Sequence, residues 1–299
     1  MATLRPRAVL VTRQTDFERL LALHATREQA AFFLRSRGQD LAVLQRQHEV
    51  FLEALREVQA AIPGDWRVAR AKRDELDRFL FSPEDVVLAV GQDGLVANVA
   101  KYLRGQPVLG VNPAPELNEG ALVRLRPDQV GRLIVAAAER TVAIERRTMA
   151  KATLDDGRTL TALNEIFVGH RSHQSARYTI TAGGASERQS SSGVIVATGT
   201  GATGWARSIM TSTHASVPLQ PADRRLAFFV REPWPSVATG ASISSGAVSE
   251  AATLTIVSNM NDGGVIFADG LEQDHLRFDW GRGVEVAPST ATLNLVQDG

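Results

Sequence analysis

No cysteine occurs in the 299 residues. That removes a disulfide framework, a thiolate zinc site and a thiol nucleophile together. Excess charge is missing too: 33 basic side chains balance 33 acidic ones. A nucleic-acid binder draws most of its affinity from cations set against phosphates, so no nucleic-acid partner is expected. Lysine is scarce, with only Lys72, Lys101 and Lys151 among many arginines; this is read as coding bias and carries no functional weight. No apolar run approaches the roughly 20 residues that span a bilayer. The opening Met1–Arg7 has no apolar signal core. A cytoplasmic chain without a membrane partner is expected. With 299 residues, 44% of them hydrophobic, the chain is long enough for two domains, or one large one, with a real core.

What is present falls into two halves. Ala8–Thr12 is a short β-branched run, read as a strand. Thr26 and Gln29 form a possible capping box, and Leu41, Leu44, Phe51, Leu55, Val58 and Ile62 recur at helical spacing before Gly64. Trp66–Ala69 reads as a strand and Lys72–Phe81 as a short helix. Val86–Val90 is continuously apolar, as a strand covered on both faces must be. A helix over Leu95–Arg104 and a strand over Pro107–Val111 follow. This alternation predicts a parallel, doubly wound sheet. A helix from Pro127 to about Glu139 is the last long one. Beyond it, Asp155-Asp156-Gly157-Arg158 marks a hairpin, Gly183-Gly184 another turn, and five further strands are read between Leu226 and Val296, among them Val284–Ala287 and Thr292–Val296. This half is expected to be antiparallel and β-rich.

Three polar motifs interrupt these elements. Gly91-Gln92-Asp93-Gly94 joins the apolar strand to a helix. Glycines admit a close approach of phosphate, the free N–H groups of a helix start favour anions, and Asp93 adds a carboxylate able to orient or deprotonate a hydroxyl. A plain turn explains the same four residues. Thr198–Trp205, reading Thr-Gly-Thr-Gly-Ala-Thr-Gly-Trp, offers hydroxyls and N–H groups at a second strand-to-helix junction; a flexible capped turn is the alternative, and Trp205 either stacks on a base or packs in the core. Asn164-Glu165 breaks the apolar run Leu160–Val168. The pair suits ribose hydroxyls or a base edge, or else faces water. His170 and His173 lie close, but no third ligand stands nearby, and no metal residue is assigned.

The order and spacing of these motifs resemble the NAD kinase family. Pro107–Asn112, Ala162–Gly169, Ser191–Trp205, Val230-Arg231-Glu232-Pro233 and Asp269-Gly270 are similar to its mitochondrial-type branch. The resemblance implies an N-terminal Rossmann-like domain over residues 1–125, a C-terminal β-rich, sandwich-like domain over 126–275, and a tail, 276–299, returning to the first domain. It implies a kinase that moves the γ-phosphate of ATP, with Mg²⁺ or another divalent cation, to the adenosine ribose 2′-hydroxyl of NAD or NADH, at a nucleotide site between the domains, in a homodimer or homotetramer. By position, Asp93 is the catalytic carboxylate. Gly91, Gly94, Thr198, Thr200 and Gly201 fall at the phosphates and ATP, and Asn164, Glu165, Thr203 and Trp205 at NAD.

The family motif reads Gly-Gly-Asp-Gly-Thr, whereas this chain has Gln92 and Leu95 at its second and fifth positions. Two other readings therefore stay open: a catalytically silent NAD(P)-binding regulator, and a kinase of the same fold acting on a sugar or lipid.

Overall fold

The computed structural model describes residues 5–298. Two units divide the chain: one runs to Glu145 and resumes at Asn294, and the other is Arg146–Leu293. Helix Val130–Ala138 thus belongs to the first unit, beyond the boundary expected near residue 125, and the chain returns to that unit at Asn294 rather than at 276.

In the first unit, β1 (Arg7–Thr12) leads through α1 (Asp16–Leu23), α2 (Arg27–Arg35) and α3 (Leu41–Ala60) to β2 (Arg67–Lys72); β3 (Asp85–Val90), α4 (Asp93–Ala100), β4 (Pro107–Val111) and α5 (Val130–Ala138) follow. The strands pair in parallel in the order β2-β1-β3-β4. Every residue of β3 and β4 is buried, which accounts for the unbroken apolar composition of Val86–Val90 and of β4. Leu88 and Leu109 of the sheet pack with Val58 of α3 and Ile134 of α5. Each such side chain contributes about 1.5–3 kcal/mol by leaving water. Phe17, Leu34 and Leu41 form a smaller cluster among α1, α2 and α3.

Local signals set the helix starts. Thr15 and Glu18 make a complete capping box on α1. Thr26 accepts from Gln29 N at 3.2 Å, without the reciprocal half of the expected box. Asp40 caps α3 through Ala42 N. Lys72–Phe81 does not form the expected helix. Only Arg73–Glu75 makes a 3-10 turn. The Leu80 carbonyl accepts from the Arg7 guanidinium at 2.9 Å, and Pro83 disfavours helical backbone at Ser82, so the end of the segment does not coil.

The second unit contains β5 (Ile144–Leu154, starting in the first unit), β6 (Thr159–Ala162), β7 (Glu165–His170), β8 (Ala176–Ala182), β9 (Ala185–Ser191), β10 (Val194–Ala197), α6 (Trp205–Thr213), β11 (Leu226–Val230), β12 (Ser245–Val248), β13 (Leu254–Ser258), β14 (Gly264–Ala268), β15 (His275–Arg277) and most of β16 (Gly283–Val296). One antiparallel group runs β16-β13-β8-β9, with β5 on β16 and β6 on β5; the other runs β12-β11-β10-β7-β14-β15. Their inner faces share one core, built from residues such as Tyr178, Ile180 and Ile256 on one side and Ile166, Val196 and Phe228 on the other. This is the expected sandwich. The expected strands at 284–287 and 292–296 are one continuous strand. Its end, Asn294 and Leu295, pairs with Pro107 and Val108 in the first unit. Among the described residues no helix is long and apolar enough to cross a membrane.

One ion pair fixes the strand starts of the first unit. Asp85 is fully buried, and Arg7 Nε and Nη2 each reach its carboxylate at 2.7 Å, with Ser82 N at 2.7 Å. Removing one partner of such a pair leaves an uncompensated buried charge. Arg7→Ala is expected to lower the unfolding free energy by about 3 kcal/mol, read from urea denaturation; a loss below about 1 kcal/mol would place the pair among ordinary surface contacts.

Candidate functional site

In the first unit the strand order reverses direction between β1 and β3. The chain leaves β1 toward β2 on one side and β3 toward β4 on the other, and the crevice beyond the carboxyl ends of such strands is where ligands bind in open α/β sheets. A cavity of about 260 Å³ lies there. Arg13 and Thr15 line it from the end of β1, Gly91 and Gln92 from the end of β3, Asn112 from the end of β4, and His48 from α3. The His48 ring stacks on Phe17 at 5.2 Å and meets the Thr15 hydroxyl at 2.9 Å. Arg13 is half-buried, and among the described residues no carboxylate pairs with it. A half-buried arginine without a counter-ion at this place suits an anion. The sequence reading missed Arg13; its one signal was an arginine directly after the first strand. It also missed Asn112, whose side chain fixes the chain that follows by donating to Asn118 O at 2.8 Å and accepting from Ala114 N at 3.0 Å.

Gly91–Gly94 borders a second cavity of about 250 Å³ with Asn112, Asn118, Glu119 and Val123. Gln92 caps α4 in extended conformation, and its side chain is exposed without bonding the helix. Gly94 is exposed as well, and a Cβ there would meet nothing within 4 Å. The fold itself does not demand this glycine. Leu95 is 2% exposed, and its Cδ2 would lie 3.2 Å from a Cβ at Gly91. The residue in the place of the family threonine is therefore core, turned under the loop. The Asp93 carboxylate is engaged: Oδ1 accepts from Leu122 N at 2.8 Å and Val123 N at 3.0 Å, and Oδ2 from Ala121 N at 2.9 Å.

The second unit repeats that device. Asp269, held at φ 51°, accepts from Leu163 N at 2.9 Å, Asn164 N at 2.7 Å and Glu165 N at 3.2 Å. These bonds bend the chain between β6 and β7, so the run 159–168 is not one strand. Asn164 sits in the bend and Glu165 opens β7, both half-buried. Burial, and then the charge of Asp269, push the Glu165 carboxyl up to about 7. Among the described residues no hydrogen-bond donor reaches its side chain, leaving it able to receive a ligand hydroxyl.

The Thr198–Gly204 turn packs on this bend. Thr198 N donates to Asn164 O at 2.9 Å. The Thr198 hydroxyl is fully buried. It donates to Leu163 O at 2.5 Å and accepts from Thr200 N and Gly201 N at 3.1 and 3.2 Å. It shapes the turn and has no capacity to spare for a ligand. The Thr200 hydroxyl accepts from the buried Arg147 at 3.4 Å. Thr203 is exposed, its hydroxyl donating to Thr200 O at 3.1 Å. A Cβ at Gly201 would lie 2.1 Å from Asn164 O, and one at Gly199 1.9 Å from Gln220 O. These two glycines are required by contacts inside the unit, unlike Gly94.

Trp205 is not an open platform. Its ring stacks on Phe167 at 6.1 Å, which continues to Phe267 at 4.7 Å, while the Arg231 guanidinium lies 5.1 Å from the indole centroid. His170 and His173 line a polar cavity of about 430 Å³ with Arg177 and Asp262. Among the described residues no three histidine, cysteine or acidic side chains gather as a metal cluster. The expected phosphate residues thus divide. Gly91, Asp93 and Gly94 belong to the first unit; Thr198, Thr200 and Gly201 stand with Asn164 and Glu165 in the second.

No family model matches the chain. Over 129 residues it is 30% identical to an NAD kinase of Chlorobaculum tepidum, a match covering 42% of this chain and 44% of that protein. The chain thus spans less than half the length of that relative. An NAD kinase of Archaeoglobus fulgidus, solved in complex with ATP, superposes with a TM-score of 0.58 at 20% identity, covering 97% of this chain and 93% of the other. A yeast NADH kinase complexed with NADH gives 0.61 at 14% identity, covering 99% and 85%. Similarity to NAD kinases therefore holds in sequence over part of the chain and in fold over nearly all of it.

Two glycines that look alike in sequence are expected to behave oppositely. Gly201→Ala should destabilise the protein by more than about 2 kcal/mol, because its Cβ meets a backbone oxygen, whereas Gly94→Ala should leave it unchanged or up to about 1 kcal/mol more stable; thermal denaturation of both variants decides. Glu165 contributes stability that is complete below its ordinary range near 4.5 and is lost as pH rises through about 7. Between pH 5 and 8 wild type should therefore lose more stability than Glu165→Gln, by on the order of 2 kcal/mol. Parallel pH–stability curves for the two proteins would refute this.

Proposed function

We propose that this chain is an NAD kinase-type phosphotransferase, moving the γ-phosphate of ATP to the adenosine ribose 2′-hydroxyl of NAD or NADH. The observation that carries the reading is the switch-point cavity of the first unit, where the counter-ion-free Arg13 faces a glycine-flanked helix start. Phosphoryl transfer asks mainly for positioning and for neutralisation of charge spread over the transferring group. Arg13 supplies a planar, permanently charged fork for phosphate oxygens. The N–H groups at the start of α4 add the positive end of the helix dipole, and Gly94 leaves room for a phosphate to approach them. Mg²⁺ enters as part of the nucleotide, since the triphosphate supplies most of its ligands and proteins commonly add only one or two carboxylates; Glu119 borders the glycine loop and is available to it.

The second unit supplies the residues for the acceptor. Glu165, its carboxyl free of internal donors, accepts ribose hydroxyls, and Asn164 beside it offers an amide. Gly201 and Thr200 hold that pair at a fixed distance from the following helix. The NAD kinases that this chain resembles, in complexes with ATP or with NADH, supply the substrate identities. Activity in the cytoplasm, as a homo-oligomer, belongs to the same proposal and rests on the family resemblance.

Purified protein incubated with ATP, Mg²⁺ and NAD or NADH is expected to form NADP or NADPH, measured by enzymatic cycling. Nucleotide binding without product from either acceptor would overturn the reading in favour of a silent binder. Arg13→Ala is expected to raise the KM for ATP by about tenfold or more, the loss of one charge-assisted contact, with the KM for NAD little changed. An equal rise for both substrates would remove Arg13 from the donor site.

A further inference from the structure

We infer that Asp269 is a positioning residue of the acceptor site, which sets the bend that presents Asn164 and Glu165 to a ribose. The inference rests on the phosphotransferase reading for the identity of the ligand and on geometry for its substance. Asp269 and Gly270 are the central residues of a tight turn at the end of β14, with φ of 51° and 69° and a bond from Leu271 N to Ala268 O at 3.0 Å. Positive φ at both central positions marks a type I′ turn, for which Asp-Gly and Asn-Gly are the favoured pairs. The turn sets the carboxylate against the chain between β6 and β7. There it takes the N–H groups of Leu163, Asn164 and Glu165 at 2.7–3.2 Å, while Asp269 N donates to Glu165 O at 3.1 Å. Leu163 is fully buried, so its N–H needs a partner. Among the described residues no backbone carbonyl accepts from Leu163 N or Asn164 N.

The carbonyls of the same bend are held by Thr198, whose hydroxyl donates to Leu163 O and whose N–H donates to Asn164 O. Asp269 and Thr198 thus clamp the bend through opposite kinds of backbone group. The bend decides where the side chains go. Neighbours along a straight strand point to opposite faces. Ile166 and Val168 of β7 face the core, so the same strand continued straight back would send Asn164 into it. In the core the Asn164 amide would need internal partners. At the bend Leu163 is buried instead, and Asn164 stays half-buried next to the half-buried Glu165. An amide and a carboxylate so placed suit the adjacent hydroxyls of one ribose. Asparagine at position 269 is the sensitive probe. It tolerates the left-handed conformation and so keeps the turn. Its amide oxygen still accepts, but its NH₂ opposes the N–H groups that meet the other carboxylate oxygen.

The test uses the full-length protein in Asp269→Asn and Asp269→Ala variants. Amide hydrogen exchange without ligands is expected to quicken at 163–165 in both by about tenfold or more, the loss of one to three hydrogen bonds, with the amides of Ile166–Val168 still protected. NAD binding, measured by calorimetry without ATP, is expected to weaken by about tenfold in Asp269→Asn. ATP binding is expected to stay as in wild type, and in turnover the loss should fall on the KM for NAD with kcat retained. Unchanged exchange at 163–165 in both variants would overturn the inference. So would equal weakening of ATP and NAD binding, or a loss confined to kcat. The exchange measurement needs no substrate. A wild-type protein that binds no NAD would sink the proposed reaction, and the hold of Asp269 on the bend would still stand or fall by exchange at 163–165.

Discussion

A single carboxylate gathering three consecutive backbone N–H groups is the contact on which both candidate sites depend. Asp93 does this for Ala121–Val123, and Asp269 for Leu163–Glu165. Non-repetitive chain cannot satisfy its own donors, and a curl of successive N–H groups makes a small anion-binding concavity. In each unit the fold fills one such concavity with its own aspartate. The reward is shape. One carboxylate sets the wall beside Gly91–Gly94; the other breaks a long strand so that Asn164 and Glu165 project from the bend. The polar residues of the functional motifs are thus held by acidic residues that do not stand beside them in the chain.

Glycine serves two distinct purposes in the two phosphate-like motifs. Gly199 and Gly201 are imposed by the protein, since backbone oxygens of Gln220 and Asn164 occupy the space of their Cβ atoms. Gly94 is imposed by nothing in the protein. The space around it, at a helix start beside a cavity, stays open. Leu95 shows the complementary case. Its departure from the family threonine alters a buried contact with Gly91 rather than the surface presented to a ligand.

Much of the architecture is legible in the sequence where one physical rule governs locally. Val86–Val90 of β3 and all of β4 are unbroken apolar runs because both faces are covered, and α3 announces itself by spacing and by the stop near Gly64. Strands at the margins escape. β9, Ala-Ser-Glu-Arg-Gln-Ser-Ser, is an outer strand with a largely exposed face and no alternating apolar pattern; β12 and the three-residue β15 are margins of the other sheet. Lys72–Phe81 looks helical by composition, yet Arg7, far away in sequence, takes the carbonyl at Leu80. The same limit applies to the site. Gly91–Gly94, Asn164-Glu165 and Thr198–Gly204 are visible as motifs because their chemistry is local. The partners of Asp93 and Asp269 are defined by contacts across 28 to 106 positions, and Arg13 and Asn112 by the meeting of separate strand ends at one cavity, neither of which a window of sequence displays.

The course of β16 bears on how the chain comes to be built. Its last residues pair with β4, and Asn294 bonds Gly105 across 189 positions of chain. During synthesis Leu125 can pair with the end of β4 early, but the edge at Pro107 and Val108 must wait, unpaired, while the whole sandwich of the second unit is made. An open edge of fully apolar β4 is a template for pairing with another copy, and contacts this distant in sequence form slowly. The stretch of translation between Val111 and Asn294 is therefore the interval in which that edge stays open, and its exposure then is set by topology rather than by the final stability of the fold.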